Sequence, residues 1–437
     1  MTDLSFISRW QFAITIGVHF IFVSISLGMV WLLFTAETLA LKKPDPHWPR
    51  LAKFFARLFI LTFSFGAATG IVMEFQFGTN WAAFSTFSGD VFGPPLAIET
   101  MSAFFLESIF VGLYIFGRDR LPKKIHWFSS LMVALGATLS AFWIIVANSW
   151  MQTPAGYTID NGRVILTDFT AAVLNPSTWP RFFHTTVGLM IAGAFFVAAV
   201  GAWLYLRNID KLLGLRAVKL AIIFGIVTSI LELFPFGHWH IMQVAHTQPA
   251  KFAAIESVER TQPNAPFVLF GIPFNNPSRL QYDIRIPSML SLISFGSVDA
   301  TVKGLDSFDP KDLPPYTLTF TSFHIMVYLG LLFIFIMLVG SWKLYRGTLD
   351  SRPFLYCLLF SAPLPLIAIQ LGWITAEVGR QPWIIYNVMR TAAGVSQNLT
   401  AHAVNLSLWI FITAYTILLV IYLGILSYLI NQGPKKE

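Results

Sequence analysis

Ionisable side chains lie within long apolar stretches of this sequence, where each needs a partner or a bound group. Glu377 lies at the end of the apolar run that begins at Phe354, and Arg380 lies three residues further on. A carboxylate in apolar surroundings is costly unless it is paired or binds something. Either the two residues form an ion pair on one helical turn, or Glu377 belongs to a functional site.

Three other side chains in apolar runs are of the types that bind haem iron. His19 lies nine residues into the first run, His184 opens another, and Met326 lies about ten residues into a third. One neutral imidazole and one thioether can bind a haem iron on its two sides. The alternatives are hydrogen-bonded structural histidines and a methionine that only packs.

Four polar side chains are candidates for carrying protons. Glu99 and Glu107 are eight residues apart, which places them about 80° apart around a helix and roughly 12 Å apart along it. Ser108 follows directly, and Ser140 lies midway through the next apolar run. Carboxylates and hydroxyls stepped through a bilayer can pass protons. The alternative is hydrogen bonding between helices, which serine commonly provides.

The composition excludes a water-soluble globular protein. The 437 residues are 55% hydrophobic and 12% charged, with a mean hydropathy of +0.65, which indicates a polytopic membrane protein. The net charge is +7, but the basic residues are spread over short loops, which argues against a nucleic-acid partner and for a lipid bilayer. The single cysteine, Cys357, excludes internal disulfides, thiolate metal sites and covalent c-type haem attachment.

Nine apolar runs are long enough to span a bilayer, so we predict an all-α membrane helical bundle that forms a single domain, residues 1–437. Lys and Arg are concentrated in alternate short loops, which predicts an N-terminus outside and a C-terminus inside. The first run is too long for the core of a signal peptide and is expected to stay as a membrane helix. The runs are approximately 10–40, 52–75, 95–117, 127–149, 181–206, 217–241, 317–342, 354–378 and 404–430.

A long loop, residues 242–316, separates the sixth and seventh runs. It contains nine prolines, among them Pro277, and apolar and aromatic residues persist through it. Loops of this length are usually either functional or disordered. The persistent apolar residues favour a functional loop.

Five motifs are spread over nearly the whole chain. They are Gly70–Trp81 (GIVMEFQFGTNW), Pro94–Glu99 (PPLAIE), Phe104–Ser108 (FFLES), Ala147–Gln152 (ANSWMQ) and Gly379–Trp383 (GRQPW). Together they closely resemble subunit I of the cytochrome bd quinol oxidases. The number of motifs makes a chance resemblance implausible.

The resemblance implies three haems. His184 and Met326 would bind a low-spin haem b, and His19 and Glu377 would serve two high-spin haems, with Glu99 close to that pair. The high-spin haems would be a haem b and a haem d, or a third haem b in place of haem d. Which of the two ligands serves which high-spin haem stays open.

The resemblance also implies that quinol is oxidised in the loop 242–316. Gln248–Glu256 is similar to the quinol segment of the short-loop members, with Lys251 and Glu256 at the matching positions. A quinol loses two protons with its electrons, so an acceptor carboxylate beside a cation suits the reaction. The alternative is an ordinary exposed pair on a loop.

Three more residues bear on the implied haem sites. His324 stands two residues before Met326, where the family commonly has Arg, so the low-spin haem would lack a permanent positive charge. Trp373, one turn before Glu377, would lie between haems or anchor the helix end at the membrane interface. Arg380 belongs to the matching motif Gly379–Trp383 and is a catalytic candidate.

The implied function is quinol:oxygen oxidoreduction in a prokaryotic cytoplasmic membrane. Electrons from quinol would pass through the low-spin haem to the high-spin pair, where O2 is reduced to water. Protons would cross from the inside past Ser140, Ser108 and Glu107, so charge is separated without a pump.

The expected partners are subunit II of the oxidase and a small single-helix subunit. The alternative is a haem-poor paralogue that only scaffolds a complex, but such a protein would lose ligands that are present here.

Overall fold

The computed structural model describes residues 3–274 and 279–435, so Pro277 of the predicted loop lies outside the described residues. Within them, nine helical spans are long and apolar enough to cross a membrane. This confirms the predicted all-α membrane bundle. The spans are Leu4–Lys42, His47–Thr79, Ala82–Phe116, Lys123–Gln152, Phe169–Leu206, Lys211–Thr247, Tyr316–Tyr345, Arg352–Val378 and Ala401–Gln432.

Several spans consist of two helices joined by a π-helical turn or a short break. The π-helical turns are Glu99–Phe104, between α3 and α4, and Glu232–Gly237, between α8 and α9. The helices are α1 (Leu4–Lys42), α2 (His47–Thr79), α3 (Ala82–Ile98), α4 (Phe105–Phe116), α5 (Lys123–Gln152), α6 (Phe169–Val173), α7 (Thr178–Leu206), α8 (Lys211–Leu231), α9 (His238–Thr247), α10 (Pro249–Glu256), α11 (Met289–Phe295), α12 (Tyr316–Tyr345), α13 (Arg352–Ser361), α14 (Leu364–Val378), α15 (Thr391–Gly394) and α16 (Ala401–Gln432).

In the part of the chain that the structure describes, short antiparallel hairpins lie between the membrane spans. They pair β1 (Tyr157–Asp160) with β2 (Arg163–Leu166), β3 (Phe267–Phe274) with β4 (Arg279–Ile286), and β5 (Trp383–Ile385) with β6 (Met389–Arg390). Each hairpin lies in a connection between spans, so the sheets do not interrupt the helical bundle.

The predicted boundaries differ most from the structure in the third, fifth, sixth and eighth spans. The fifth span begins at Phe169 rather than at 181. The third span begins at Ala82 rather than at 95, and the sixth continues to Thr247 rather than ending at 241. Hydropathy detects the apolar centre of a span but not the polar turns at its ends. The eighth span is divided between α13 and α14, because Pro363 has no backbone N–H and its ring clashes with the preceding turn.

The long loop after the sixth span is a folded layer with its own hydrophobic core. It contains α10, the β3–β4 hairpin and α11, and its buried side chains include Phe252, Val268 and Leu290. Phe320 of α12 belongs to the same core, so the loop is packed onto the seventh span. Some of the apolar residues that persist through the loop therefore pack in this core, whereas others, such as Phe270 and Ile284, are exposed.

Two glycines let α1 and α7 cross at backbone contact. A Cβ added at Gly193 would lie 2.2 Å from the carbonyl carbon of Gly28, and one added at Gly28 would lie 2.3 Å from the carbonyl oxygen of Leu189. Membrane helices use small residues in this way because close van der Waals contact holds them together. His19 and His184 each lie nine residues before their glycine, so both lie roughly 14 Å from the crossing, at a similar depth.

We expect Gly193→Ala to lower the thermal stability of the detergent-purified protein. The added methyl group must push two backbones apart, and overpacking of this kind costs about 1–3 kcal/mol or more. Gly330→Ala on α12 is the matched control, because a Cβ there meets nothing within 4 Å. The control is expected to be neutral or stabilising by up to about 1 kcal/mol. Equal melting temperatures for the two variants would contradict the tight crossing.

Candidate functional site

The Glu377 carboxylate is the centre of a polar cluster at one end of the bundle. Its Oε1 accepts hydrogen bonds from Asn148 Nδ2 at 3.1 Å and Gln152 Nε2 at 3.2 Å, both from α5. Its Oε2 pairs with Arg380. The predicted ion pair therefore exists, but it is embedded in a larger network that ties α14 to α5.

Positive charge exceeds negative charge around this carboxylate. Arg181 of α7, Arg380 and Lys251 of α10 are all buried and lie close to Glu377. Among the described residues, Nε and Nη1 of Arg380 and Nε of Arg181 are buried without a hydrogen-bond acceptor. Because buried charges need partners, the cluster fits a bound group that carries carboxylates. The sequence analysis had not singled out Arg181, although a cation at the start of an apolar run is a visible signal.

His19 presents one free ring nitrogen. Its Nδ1 lies 3.0 Å from the Thr69 hydroxyl oxygen, and that hydroxyl donates its hydrogen to the carbonyl of Gly66 at 2.9 Å or of Phe65 at 3.0 Å. A hydroxyl that donates to one of these carbonyls accepts from His19, and this arrangement corresponds to the tautomer with the ring proton on Nδ1. Nε2 keeps its lone pair and is free to bind a metal.

His184 faces a carboxylate that the sequence analysis missed. Its Nδ1 lies 3.0 Å from Glu232 Oε1, as a close charge contact rather than an aligned hydrogen bond. The His240 ring lies beside it, with ring centroids 5.0 Å apart. A carboxylate at one ring nitrogen orients a histidine and leaves the other nitrogen for a metal. Glu232 lies within the apolar run 217–241, and that position was the available signal.

Met326 lies toward the same end of the bundle as His184. Phe195 of α7 packs on Phe333 of α12 with centroids 5.0 Å apart. His184 and Met326 precede that contact by 11 and 7 residues on helices that run in the same direction. The Met326 sulfur lies 3.1 Å from the place that a Cβ of Gly372 would occupy, so it also contacts α14.

Trp373 is half-buried and packs against neighbouring helices. Its ring packs on Phe20 of α1 with centroids 4.7 Å apart, in a cluster that also contains Leu189 of α7. Phe20 follows His19, and Gly372, next to Trp373, contacts Met326. The indole therefore lies where α1, α7 and α14 meet.

The candidate proton carriers lie on α3, α4 and α5. Ser140 donates to Glu99 Oε1 at 2.5 Å, so the structure joins Ser140 to Glu99 rather than to Glu107. Glu107 is 6% exposed and packs against Gly136, where an added Cβ would lie 3.0 Å from the Glu107 Cβ. Ser108 is half-buried beside it. Glu99 and Glu107 thus both contact α5.

Lys251 and Glu256 are buried, with 4% and 2% of their surfaces exposed, so the alternative of an exposed surface pair is wrong. Lys251 Nζ donates to Ala376 O at 2.9 Å, Gln248 Oε1 at 3.2 Å and Gln152 Oε1 at 3.3 Å. Its side chain therefore points toward Glu377 and away from Glu256. The expected carboxylate beside a cation is not the arrangement observed among the described residues.

Burial shifts the acidity of both groups in α10. It lowers the pKa of Lys251 well below its usual range, an effect that Arg181 strengthens and Glu377 opposes. It raises the pKa of Glu256 to about 8, and Oε2 of Glu256 has no hydrogen-bond partner among the described residues. Glu256 is therefore mainly protonated at neutral pH and ionises just above it.

His324 faces the loop rather than the Met326 side of its helix. Its Nδ1 lies 3.1 Å from Phe320 O, and its Nε2 lies 3.2 Å from Val268 O of β3. Its ring stacks on Phe320 with centroids 4.0 Å apart. These contacts agree with a rotation of about 200° between residues two apart on a helix. His324 holds the loop hairpin against α12.

The chain is similar to known proteins over nearly its whole length. The family model described as cytochrome bd terminal oxidase subunit I matches residues 7–434. Cytochrome bd ubiquinol oxidase subunit 1 of Bacillus subtilis (strain 168) is 39% identical, over 99% of this chain and 94% of the relative. Cytochrome bd-II ubiquinol oxidase subunit 1 of Escherichia coli (strain K12) is 34% identical, over 100% of this chain and 98% of the relative. The solved structure of the bd oxidase from Geobacillus thermodenitrificans superposes with a TM-score of 0.93 at 30% identity, covering 99% of both chains.

Proposed function

Since this chain belongs to the cytochrome bd terminal oxidase subunit I family, we propose that it oxidises quinol at the outer face of a prokaryotic cytoplasmic membrane and reduces O2 to water with protons from the inside. As a subunit of a bd-type quinol oxidase it is a multi-pass membrane protein with haem cofactors, quinol and O2 as substrates, and subunit II as partner. A small single-helix subunit is a further proposed partner. The observation that carries the function is the Glu377 cluster, with its buried arginine N–H groups that have no acceptor.

Four side chains would hold haem iron. His184 and Met326 would bind a low-spin haem b, and His19 and Glu377 would serve a high-spin haem b and a haem d or third haem b. The free Nε2 of His19 and the carboxylate of Glu232 at His184 Nδ1 support these assignments. When bound, haem supplies an iron that changes oxidation state and binds O2.

The arginines of the Glu377 cluster would hold the carboxylates of haem. Their buried N–H groups without acceptors suit such anions, and charge-assisted hydrogen bonds of this kind are strong. Arg380 would also orient Glu377 through its ion pair. Trp373 would fill the space between haem groups, which its packing on Phe20 supports.

We expect His184→Ala and Met326→Leu each to abolish the low-spin haem bands while the protein stays in the membrane. Each variant removes one axial ligand, and the Met→Leu exchange keeps the packing volume at a cost below about 1.5 kcal/mol. Met337→Leu, the same exchange in the buried core of the same helix, is the control and should keep all bands. A retained low-spin spectrum in both ligand variants would contradict the assignment.

Quinol oxidation is assigned to the α10 segment. Lys251 would contact the quinol ring region, and Glu256 would accept a proton as the quinol loses electrons. A general base works only when ionised, and Glu256, with its pKa of about 8, is mostly protonated at pH 7. Quinol oxidation by this route must therefore speed up as the pH rises.

The pH profile tests this role. We expect quinol oxidase activity, corrected for uncatalysed quinol oxidation, to rise from pH 6 and level off above about pH 8. Glu256→Gln should lower the activity about 100-fold and remove the rise, with all haem bands intact and artificial donors still supporting O2 uptake. Glu259→Gln, three residues beyond the end of α10, should keep the wild-type profile. An unchanged pH profile in Glu256→Gln would refute the proton-acceptor role.

Protons for water formation would pass Glu107, Ser108, Ser140 and Glu99. The hydrogen bond from Ser140 to Glu99 supports the last step of this order. Glu107 would hold a proton near mid-bilayer, where an ionisable side chain is costly and usually functional. The N-terminus would lie outside and the C-terminus inside, as the concentration of Lys and Arg in alternate short loops predicts.

We expect Glu107→Gln to slow the single-turnover reaction of the fully reduced enzyme with O2 about 100-fold. Quinol should still reduce the low-spin haem at the wild-type rate, because that reaction needs no protons from the inside. Glu107→Asp, which keeps a titratable group, should recover part of the rate. If Glu107→Gln reacts with O2 and takes up protons like the wild type, Glu107 is only a hydrogen-bonding residue between helices.

The function as a whole is tested by a reduced-minus-oxidised spectrum with pyridine haemochrome analysis of the purified complex. Haem bands that quinol reduces and O2 reoxidises support the proposal. A complex with subunit II that contains no haem would instead indicate a scaffold paralogue.

A further inference from the structure

The side chain of Gln152 joins the quinol segment to the Glu377 site. Its Nε2 donates to Glu377 Oε1 at 3.2 Å, and its Oε1 accepts from Lys251 Nζ at 3.3 Å. Its backbone carbonyl accepts from Gln248 Nε2 at 3.0 Å. The residue is fully buried. One amide therefore connects α10, which carries the quinol segment, to α14, which carries Glu377.

The orientation of this amide is dictated by its two neighbours. Lys251 Nζ donates its hydrogen bond to Gln152 Oε1, and an ionised Glu377 carboxylate has only acceptors. In a flipped amide, the Gln152 NH2 group would face the Lys251 amine and its oxygen would face the Glu377 carboxylate. Both hydrogen bonds would be lost, which costs free energy in a buried site. Gln152 is thus held in one state as long as Lys251 and Glu377 keep their places, and a shift of either side chain strains the other contact.

The lysine reaches this position through a gap left by a glycine. A Cβ added at Gly379 would lie 3.0 Å from Lys251 Cε and 3.1 Å from its Cγ. Lys251 Nζ also donates to Ala376 O at 2.9 Å, one of the carbonyls left free at the C-terminus of α14. The quinol segment therefore contacts the last turn of the helix that carries Glu377 by two routes, one direct and one through Gln152.

We propose that Gln152 is a positioning residue that couples the two sites, so that occupancy of the quinol segment changes the affinity of the haem site for a gas ligand. This inference rests on the proposed function, because it needs Glu377 at a haem iron and Lys251 at the quinol. Ligand binding that displaces Lys251 releases the Gln152 Oε1 contact. The Gln152 amide can then turn away from Glu377 Oε1, which keeps only its hydrogen bond from Asn148. Coupling between two binding sites is reciprocal, so the gas ligand changes quinol-site affinity by the same factor.

The test measures two dissociation constants without turnover. The quinol analogue 2-heptyl-4-hydroxyquinoline N-oxide is titrated into the reduced complex with and without CO, and CO is titrated with and without the analogue. For the wild type we expect each ligand to change the other's affinity by about 5-fold or more. For Gln152→Leu we expect both ligands to bind. The dissociation constant of each should be the same with and without the other, a ratio near 1.

Two further variants keep the test decisive if Gln152→Leu does not fold. Gln152→Glu has the same shape and can still accept from Lys251 but cannot donate to Glu377 when ionised, so coupling should be lost while the analogue still binds. Thr153→Val breaks the neighbouring hydrogen bonds to Asn175 and Ser177 and should keep the wild-type coupling.

The outcomes separate this inference from the proposed function. A wild-type complex without haem bands or CO binding overturns the proposed function. A haem-containing wild type in which the two ligands bind independently overturns only the coupling. Full coupling in both Gln152 variants, or loss of coupling in Thr153→Val, overturns the role of Gln152.

Discussion

A charge removed from water has to find compensation inside the protein, and one end of this bundle is arranged around that requirement. The buried cations Arg380, Arg181 and Lys251 come from three segments of the chain and meet around Glu377, whose side chain is 32% exposed. The amides of Asn148 and Gln152 fill the positions between them. Loss of one partner from such a pair leaves the other uncompensated, which costs about 3–5 kcal/mol. The segments that supply these residues are therefore held together as a unit.

Close helix packing supplies the frame for this polar end. The crossing of α1 and α7 at Gly28 and Gly193 leaves no room for even a methyl group, so the spacing of the two helices is determined there. His19 and His184 project from these helices at similar depth, each toward a polar neighbour that selects its free ring nitrogen. A rigid apolar crossing and a polar partner for each ring together determine where the imidazoles point.

Two carboxylates of the site open π-helical turns. Glu99 begins one such turn in the third span, and Glu232 begins the other in the sixth. A π-turn adds a residue to the helix and shifts the face that the following residues present, and such turns are frequent at functional sites. Here they aim Glu99 at Ser140 and Glu232 at His184. The hydropathy pattern predicts an ordinary helix for each of these spans and does not indicate the π-helical turns.

The chain by itself determined the nine spans, because twenty consecutive apolar residues must cross a bilayer whatever lies beside them. It also supplied the proposed iron ligands His19, His184, Met326 and Glu377, whose side-chain types and positions in apolar runs are visible in the sequence. The tertiary structure decided that Lys251 contacts Gln152 and Ala376 beside Glu377 instead of Glu256, that Ser140 pairs with Glu99, and that Trp373 packs on Phe20. It also brought Arg181, Gln152 and Glu232 to the site. These pairings depend on which helix faces meet, and no local pattern encodes that, because residues far apart in the chain become neighbours only when the helices pack.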